Sequence, residues 1–517
     1  MRPGPARPGQ RRRPREQGPP FALLDELACY HHAPDEPNNV HIEALVPGHL
    51  DERALRQAVT EAIAAAPRAS GRMAAGSALR CRYRWEFPPV PDVDPLSRAT
   101  WSSQDELAAL RNRFLADAPP LRTSPPVRLL LATGPGESCV ILNAHHAALD
   151  GISSLALLRD IAARYQAITG AREPAPAEPV PPATAAPAGR QAPASADQPQ
   201  ASADQPPAGR GSRRSLARAL RRYPAARIAT DRDHRDHQDH RDRGDRGDRG
   251  GHQDRGDRGH REDRRGRRGG HGVRLLVLPA VPRPPSGSTV TDVLVAALIA
   301  TVASWNASHR RAPRTIAISV PVSVRGPGLP AVAGNRTRTV TVIVSPRTAA
   351  AQPSVLLAEV SRQLSATRQA RPQETSAGIL DATPGWCPVV LKRLALRVAM
   401  RTVGPVVCDT TMLSNLGTVA GPLWPGPGGP ARIAFSSPVH MPRGLAVSVV
   451  TADGQLQAAF RYLYAVLDDA AAARLAEIFA ATLEEFTDVE GDAHGLAGRA
   501  PGDPRLSSRQ GRPAVPR

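Results

Sequence analysis

The sequence predicts an α+β protein whose foldable residues form two lobes of similar size, with a long disordered insertion between them. Strand-like apolar runs alternate with helix-like patterns in residues 19–170 and again in residues 273–490. Residues 171–272 change abruptly to a Pro/Ala-rich stretch and then to a repetitive Asp-Arg-Gly-His tract. This composition lacks the apolar residues that a core requires, so we expect disorder there. For the same reason we expect a disordered leader at residues 1–18 and a disordered tail at residues 491–517.

The first lobe has a strand–turn–strand–helix pattern. Residues with helical spacing run from Leu55 to Ala65, and two apolar runs, Val127–Ala132 and Cys139–Ala144, flank a turn that contains Gly and Pro. Two such runs around a turn predict a β-hairpin. After Gly151, apolar residues recur with the period of one helix face: Leu155, Leu158, Ile161 and Tyr165. The second strand of the hairpin therefore leads through a short loop into a helix.

The second lobe has its own strands and helices. Ser288 and Thr289 open a helix that has Asp292 in its first turn. The other predicted elements are three strands, a hairpin and a final amphipathic helix: Arg274–Leu278, Thr315–Val320, Thr337–Val344, Gly444–Thr451 with Gln455–Tyr462, and residues 468–486. This lobe is therefore predicted to be α+β like the first.

Charge and cysteine content bound the class of protein. The formal net charge of +19 first suggests a nucleic-acid or anionic-membrane partner. Much of the excess lies in Arg-rich segments flanked by Pro, Gly or Ser, so we interpret it as solvated charge and expect no nucleic-acid partner. The five cysteines are odd in number and include no CxxC pair, as is typical of reduced thiols. The sequence shows no secretory signal and no apolar run of about 18 residues, so we expect a cytoplasmic protein.

One short segment carries chemistry: His145-His146-Ala147-Ala148-Leu149-Asp150-Gly151. It lies between the predicted strand and helix, where a histidine can present one ring nitrogen to a substrate while the backbone holds the other. A neutral imidazole there accepts a proton from a hydroxyl or an amine. A buried Asp150 needs a cationic partner, because an unpaired buried carboxylate is costly. Gly151 permits a backbone conformation closed to other residues. We predict that His146 is a general base.

The full pattern resembles the His-His-x-x-x-Asp-Gly signature of the chloramphenicol-acetyltransferase-like superfamily. That superfamily includes condensation domains of non-ribosomal peptide synthetases, polyketide-associated acyltransferases, alcohol acetyltransferases and bacterial wax ester synthase/diacylglycerol acyltransferases. Pro20–Arg72 looks like the first strand and helix of those enzymes. Val320–Arg325 with Gly334–Arg336 looks like a central region of the wax-synthase branch, and Met412–Gly417 looks like a latch strand. Together these segments cover most of the foldable chain.

The resemblance implies two chloramphenicol-acetyltransferase-like α/β lobes that form a V with a substrate tunnel between them. The implied reaction moves an acyl group from a CoA or carrier-protein thioester to an alcohol or amine, without a covalent acyl-enzyme. Acyl-CoA or a phosphopantetheinyl thioester is then a co-substrate, an acyl or peptidyl carrier protein is a candidate partner, and no bound cofactor or metal is expected. The resemblance implies His146 as the general base and His145 as its structural neighbour. Asp150 and Arg325 would form a salt bridge that orients the loop. Gly151 is the glycine of the motif, and Ser414 and Asn415 would lie in the tunnel wall.

Two departures leave the branch of the superfamily open. Thr291 and Asp292 stand where the wax-synthase pattern has Asn-Asp, and the Asp-Phe-Gly-Trp-Gly motif of peptide-synthetase condensation domains does not occur in the sequence. The acyl chain, the donor and the choice between an alcohol and an amine therefore stay open as well. The alternative function is a catalytically silent scaffold or a docking module for a carrier protein.

Three other features have competing interpretations. Cys139 precedes His145 by six residues on one strand, and six extended residues span about 20 Å, so we expect core packing rather than a Cys-His pair. The histidines of the tract at residues 231–271 would offer weak ligands to a divalent metal, but a solvated linker is favoured. Pro388–Thr402 is apolar and basic, which would suit peripheral contact with a membrane, but an ordinary packed helix is favoured.

Overall fold

The structure is a computed structural model. It describes residues 18–33, 35–77, 79–170, 224–230, 270–284, 287–325, 332, 334–369, 385–421, 423–424 and 429–497. Residues 1–17 of the predicted leader, most of the predicted insertion and the end of the predicted tail lie outside these residues. Two main sheets, one of five strands and one of six, organise the described chain into two lobes.

The first lobe is built on the five-stranded sheet. Its elements in chain order are α1 (Leu23–His31), β1 (Asn39–Pro47), α2 (Glu52–Ala65), α3 (Pro67–Ser70), β2 (Arg72–Met73), β3 (Trp85–Glu86), β4 (Leu96–Thr100), α4 (Gln104–Leu115), β5 (Val127–Gly134), β6 (Glu137–His145) and α5 (Gly151–Thr169). The predicted hairpin is confirmed, because β5 and β6 pair antiparallel along their whole length. α2 and α5 pack together and cover the buried side of the sheet.

The second lobe is built on the six-stranded sheet. The second half of the chain contains β7 (His271–Pro279), α6 (Val290–Ser308), β8 (Ile316–Ser323), β9 (Thr337–Val344), α7 (Pro346–Ala349), α8 (Pro353–Gln369), α9 (Val389–Thr402), α10 (Gly404–Val407), β10 (Thr411–Thr418), β11 (Arg432–Ser436), β12 (Leu445–Ala452), β13 (Gln455–Leu463) and α11 (Asp469–Ala497). The sheet order is β7-β13-β12-β10-β8-β9. The predicted hairpin β12–β13 and the capped start of α6 are both confirmed.

One strand crosses between the lobes. β11, from the second half of the chain, forms the edge of the first lobe's sheet, in the order β11-β1-β6-β5-β4. His41 of β1 aligns with Ser436 of β11 in this antiparallel pair. The segment that resembles a latch strand, Met412–Gly417, lies inside the second sheet as part of β10, between β8 and β12.

Residues 224–230 correct the prediction of a wholly disordered insertion. This segment is extended, and Ala225, Ile228 and Ala229 are buried. The Ala226 amide donates to the Thr315 carbonyl at 2.7 Å, and the indole of Trp305 donates to the Ala229 carbonyl at 3.0 Å. A few apolar residues are therefore enough to seat this short segment on the second lobe. Residues 171–223 and 231–269, which share the prediction, lie outside the described residues.

The boundaries of the second lobe in the structure also differ from the predicted ones. His271, expected in the insertion, is the buried first residue of β7. Its Nε2 accepts a hydrogen bond at 3.0 Å from Arg461, and this contact places it in the fold rather than in the linker. The final helix, expected to stop at residue 486, continues to Ala497.

α6 is apolar enough to resemble a membrane span, since it has 19 residues and a mean hydropathy of 1.5. It is nonetheless a core helix of the second lobe, because most of its length is buried and it packs against α8 and α11. Thr289 and Asp292 cap its first turn reciprocally. Its polar residues, such as Asp292 and Asn306, interrupt the apolar sequence, so the helix is not a continuous apolar run.

Candidate active site

The His-His segment forms a tight loop between the end of β6 and the start of α5. The His145 carbonyl accepts hydrogen bonds from the amides of Ala148, at 2.8 Å, and Leu149, at 3.2 Å. The His146 amide donates to the Asn38 carbonyl at 3.0 Å, which ties the loop to the chain just before β1. The backbone of the loop is therefore held on both sides before any side chain is considered.

His146 lies in this loop with one ring nitrogen occupied by the backbone. Its Nδ1 is 3.4 Å from the Leu149 carbonyl oxygen. A carbonyl only accepts, so this contact favours the tautomer with the proton on Nδ1 and the lone pair on Nε2. Burial lowers the pKa of His146 from its usual value, although the nearby Asp150 carboxylate raises it in part. The imidazole is therefore neutral at pH 7, as a proton acceptor must be.

His145 is turned into the protein rather than toward a ligand. It is buried, and its Nδ1 accepts a hydrogen bond from the Ala147 amide at 3.1 Å. Burial lowers the pKa of His145 to about 3, with further lowering from His32 and His146. A neutral ring whose nitrogen receives a backbone amide stabilises the loop, which is the structural role expected for this residue.

Asp150 joins the loop to the second lobe. One carboxylate oxygen accepts from the Ser153 amide at 2.9 Å, where it caps α5, and from Arg325 Nη2 at 2.6 Å. The other oxygen accepts from the Arg336 amide at 3.0 Å. Burial raises the pKa of Asp150, but the hydrogen bonds from Arg325 and from the two amides outweigh burial, so the net shift is downward. The predicted Asp150–Arg325 ion pair is present, and it spans the two lobes.

Gly151 is needed for space, not for an unusual backbone conformation. It is not among the residues with positive φ, so the expected conformational reason is wrong. A Cβ at this position would lie 2.8 Å from Phe435 and 2.9 Å from Leu416. Since Phe435 belongs to β11 and Leu416 to β10, the glycine lets the start of α5 approach the strands that close the site.

A cavity of about 410 Å³ lies beside the loop, between the lobes. Its wall includes His146, Asp150 and Gly151 from the first lobe, and β8, β9 and β10 from the second. Ser414 and Asn415 line it, where the sequence predicts the tunnel. The Asn415 amide is already engaged, because it donates to Thr291 Oγ1 at 3.0 Å and accepts from the Gly417 amide at 2.7 Å. Asn415 therefore holds the wall, while hydroxyl and apolar groups supply most of its surface.

Sequence reasoning missed the histidines that surround His146. No Asp-Gly follows the pair His31-His32, yet the His32 ring lies 5.7 Å from that of His145. His31 stacks on His440 at 5.5 Å, and His440 Nε2 is 3.3 Å from Asn38 Oδ1. His440 follows β11 and lies about 400 residues after His31 in the sequence, so no local signal indicates this cluster.

A second buried polar group holds the lobes together near the site. Arg461 of β13 donates to the Asn39 carbonyl at 3.0 Å and to the Asn39 side chain at 2.5 Å. Burial lowers the pKa of Arg461 to about 9, which still leaves the guanidinium charged at pH 7. Asn39 begins β1, so this contact connects one strand of each sheet.

No known protein-family profile matches the chain. The chain is 27% identical over 456 residues to the uncharacterized protein Rv2305 of Mycobacterium tuberculosis, covering 86% of this chain and 94% of that protein. It is also 34% identical over 179 residues to a probable non-canonical nonribosomal peptide synthetase, CymA, of Salinispora arenicola. That match covers 33% of this chain but 2% of the synthetase.

Solved structures of condensation domains share the fold. The first condensation domain of the calcium-dependent antibiotic synthetase, in complex with a substrate analogue, has a TM-score of 0.52 at 17% identity and covers 91% of this chain and 97% of that domain. The starter condensation domain of rhizomide synthetase RzmA, a mutant in complex with C8-CoA and Leu-SNAC, has a TM-score of 0.54 at 12% identity, with 91% and 94% coverage. The chain therefore has the condensation-domain fold.

Proposed function

We propose that the protein is an acyltransferase that moves an acyl group from a CoA or carrier-protein thioester to a hydroxyl or amine, with His146 as general base. The observation that carries the proposal is the position of His146. It lines the cavity between the lobes while the Leu149 carbonyl engages its Nδ1, leaving Nε2 for a substrate. The Asp150–Arg325 pair supports the same proposal, since it positions the loop from the opposite lobe.

The chemistry follows from one neutral imidazole. The oxygen or nitrogen of the acceptor attacks the thioester carbonyl carbon, while His146 Nε2 accepts the proton from that acceptor hydroxyl or amine. The tetrahedral oxyanion collapses, the C–S bond breaks, and the leaving thiolate takes the proton back from the imidazolium. General-base catalysis contributes about 10²–10⁴-fold. Holding donor and acceptor together in one cavity supplies much of the remaining acceleration.

The cavity wall suits a thioester with a long flexible arm. The wall contains both threonine and serine hydroxyls and apolar side chains, so amide groups and methylene groups both find partners. Arg338 adds positive charge that suits a phosphate, whereas Arg368 in the same wall is paired with Asp292. The ligands of the RzmA mutant structure, C8-CoA and Leu-SNAC, belong to the same thioester chemistry. A free CoA thioester and a carrier-bound phosphopantetheine share these features, so both belong to the proposal.

Product analysis tests the proposal. The purified chain is incubated with a panel of acyl-CoA and acyl-phosphopantetheinyl thioesters and a panel of alcohols and amines, and free thiol release is followed together with ester or amide formation by mass spectrometry. We expect thiol release that depends on the acceptor and is matched by the acylated product. An absence of transfer across the panels, with intact binding of a carrier protein, would instead favour the silent docking module.

A matched pair of variants separates catalysis from folding. His146→Ala is expected to abolish acceptor-dependent thiol release, whereas His49→Ala, at an exposed position after β1, is expected to leave it unchanged. Equal activity of the two variants would show that the base is assigned to the wrong residue.

A further inference from the structure

The outer face of α9 is apolar, which is unusual for a helix on a protein surface. Four long apolar side chains follow one another along this face: Val390, Leu391, Leu394 and Val398, which are 54%, 53%, 57% and 53% exposed. They occupy positions i, i+1, i+4 and i+8 and therefore form one stripe. The opposite side of the helix is buried against the first lobe through Val389 and Leu396. The stripe is thus additional to the face that packs, and a packed core helix does not account for it.

The apolar surface continues on both sides of the stripe. Trp386, just before α9, is 76% exposed, and Val403 and Val406 after it are 47% and 42% exposed. Seven of the fifteen large apolar residues that are exposed in the described chain therefore lie within residues 386–406. We call this surface, residues 386–406, the apolar ridge. A concentration of this kind marks a binding surface rather than scattered surface residues.

All charges on the apolar ridge are positive. Residues 385–408 include Lys392, Arg393, Arg397 and Arg401 and no acidic residue. Arg397 and Arg401 are exposed beside the stripe. Mutual repulsion from Arg393 and Arg401 contributes, after burial, to a lowered pKa of Arg397, so the three guanidinium groups lie near one another. The ridge therefore combines exposed apolar groups with a cationic margin.

The apolar ridge is held firmly in place. At its start, the Val389 amide donates to the Arg80 carbonyl at 2.9 Å, and Lys392 donates to the Cys81 carbonyl at 3.1 Å. In the middle, Arg393 and Arg397 both donate to the His32 carbonyl, at 3.1 and 3.3 Å. These contacts hold the helix against the first lobe with its apolar stripe outward, so the ridge does not collapse onto the protein.

Arg227 fastens the far end of the ridge. Its guanidinium donates to four carbonyls that follow α9: Asp409, Gly404, Pro405 and Cys408, at 2.8, 3.1, 2.7 and 3.1 Å. This arginine belongs to residues 224–230, the packed part of the insertion. The segment therefore has a defined task, which is to anchor the end of the ridge.

We propose that the apolar ridge binds the surface of an anionic lipid bilayer. A helix with Leu and Val on one face, Arg at its margin and an exposed Trp at its start has the features of an interfacial helix. The apolar stripe enters the acyl boundary, the arginines contact lipid phosphates, and Trp386 lies at the headgroup level. The proposal also has a consequence for the candidate active site. Arg393 of the ridge donates to the His32 carbonyl, and the His32 ring lies against that of His145, so the membrane would contact the protein next to the catalytic loop.

Tryptophan fluorescence provides a direct test with the full chain. Trp85, Trp101, Trp305 and Trp424 are 0%, 7%, 1% and 3% exposed, so Trp386 is the one exposed tryptophan of the five. Vesicles of phosphatidylcholine and phosphatidylglycerol, with bromine on the acyl chains, quench a tryptophan that enters the bilayer. We expect quenching of the wild-type protein, and loss of that quenching in Trp386→Phe. Binding through the basic segments of the chain without quenching would overturn the proposal.

A matched pair of double variants tests the stripe itself. V390D/V398D places two charges on the stripe and is expected to weaken binding to the anionic vesicles by about tenfold or more. V277D/V355D changes the net charge by the same amount at valines that are 46% and 53% exposed elsewhere, and is expected to bind like the wild type. Equal binding of the two double variants overturns the proposal. So does a wild-type chain that binds an acidic carrier protein through the ridge but no vesicle.

Discussion

The first lobe contains two histidine pairs that are identical as dipeptides and different in their surroundings. His145-His146 ends a central strand and precedes a helix, whereas His31-His32 ends α1. Both pairs lie in the same cluster, because the rings of His32 and His145 are 5.7 Å apart. Only His146 lines the cavity, as neither His31 nor His32 belongs to its wall.

This difference indicates that the carboxylate after the pair, rather than the pair itself, holds a histidine beside the cavity. Asp150 caps the following helix and receives Arg325 from the opposite lobe, which holds the loop in one conformation. Near His31-His32, the carboxylate of Glu36 lies 3.6 Å from His440 and is partly exposed. One pair therefore has a rigid, capped loop at the cavity, and the other packs around it.

The largest expected difference between the pairs concerns the chemical step. His146→Ala should lower kcat by about 10²–10⁴-fold, because it removes the proton acceptor. His31→Ala should lower kcat only a few-fold, since His31 contacts His440 rather than the cavity. Steady-state kinetics of both variants, with circular dichroism to verify folding, measures the contrast. Similar losses in the two variants would contradict the assignment of the base.

The carboxylates of the two pairs should differ in their effect on stability. Asp150→Ala leaves Arg325 without its ion-pair partner in a largely buried position and removes the cap of α5, so we expect a loss of about 3–5 kcal/mol in the free energy of unfolding. Glu36→Ala should cost far less, because its carboxylate is 26% exposed and 3.6 Å from its histidine. Urea unfolding of the two variants compares them, and a larger loss for Glu36→Ala would contradict this reading.

Acid should destabilise the folded protein through one histidine of each pair. Burial lowers the pKa of His31 and of His145 to about 3, while each titrates near 6.5 when unfolded. Between these two pKa values the unfolded chain binds more protons than the folded protein. The free energy of unfolding is therefore highest above about pH 6.5 and falls with decreasing pH, by about 1.4 kcal/mol per pH unit for each histidine.

Urea unfolding on either side of pH 6.5 measures this slope. His31→Gln should make it shallower, whereas His49→Gln, at an exposed position, should not. An unchanged slope in His31→Gln would show that His31 does not titrate differently in the folded and unfolded states.

The smallest expected effect is a shift of the pH–rate profile. His146 acts when neutral, and burial lowers its pKa below 6.5, so the rate should be flat near pH 7 and fall only as the pH drops through that lowered pKa. The charge of His440 contributes to the lowering. His440→Ala should therefore move the acid limb to higher pH, by less than about one unit. A shift to lower pH would show that His440 acts on His146 in the opposite sense.

The sequence by itself determined the features that depend on neighbouring residues. The β5–β6 hairpin, the loop at His145–Gly151 and the capped start of α6 are each specified by residues within about a dozen positions of one another, because turn and capping preferences act over that range. The ion pair of Asp150 with Arg325 was also expected, but from the resemblance to known acyltransferases rather than from local preference.

Only the tertiary structure decided which distant segments meet. β11 joins the sheet of the first lobe, Arg227 anchors the end of α9, and His440 stacks on His31, across separations of about 180 to 410 residues. Such contacts form because burying an apolar strand, or satisfying buried carbonyls, is favourable for the whole fold. Amino-acid pattern along the chain does not encode the partner. For this reason the sequence predicted the base, while the fold built the cavity beside it and the apolar ridge on the surface.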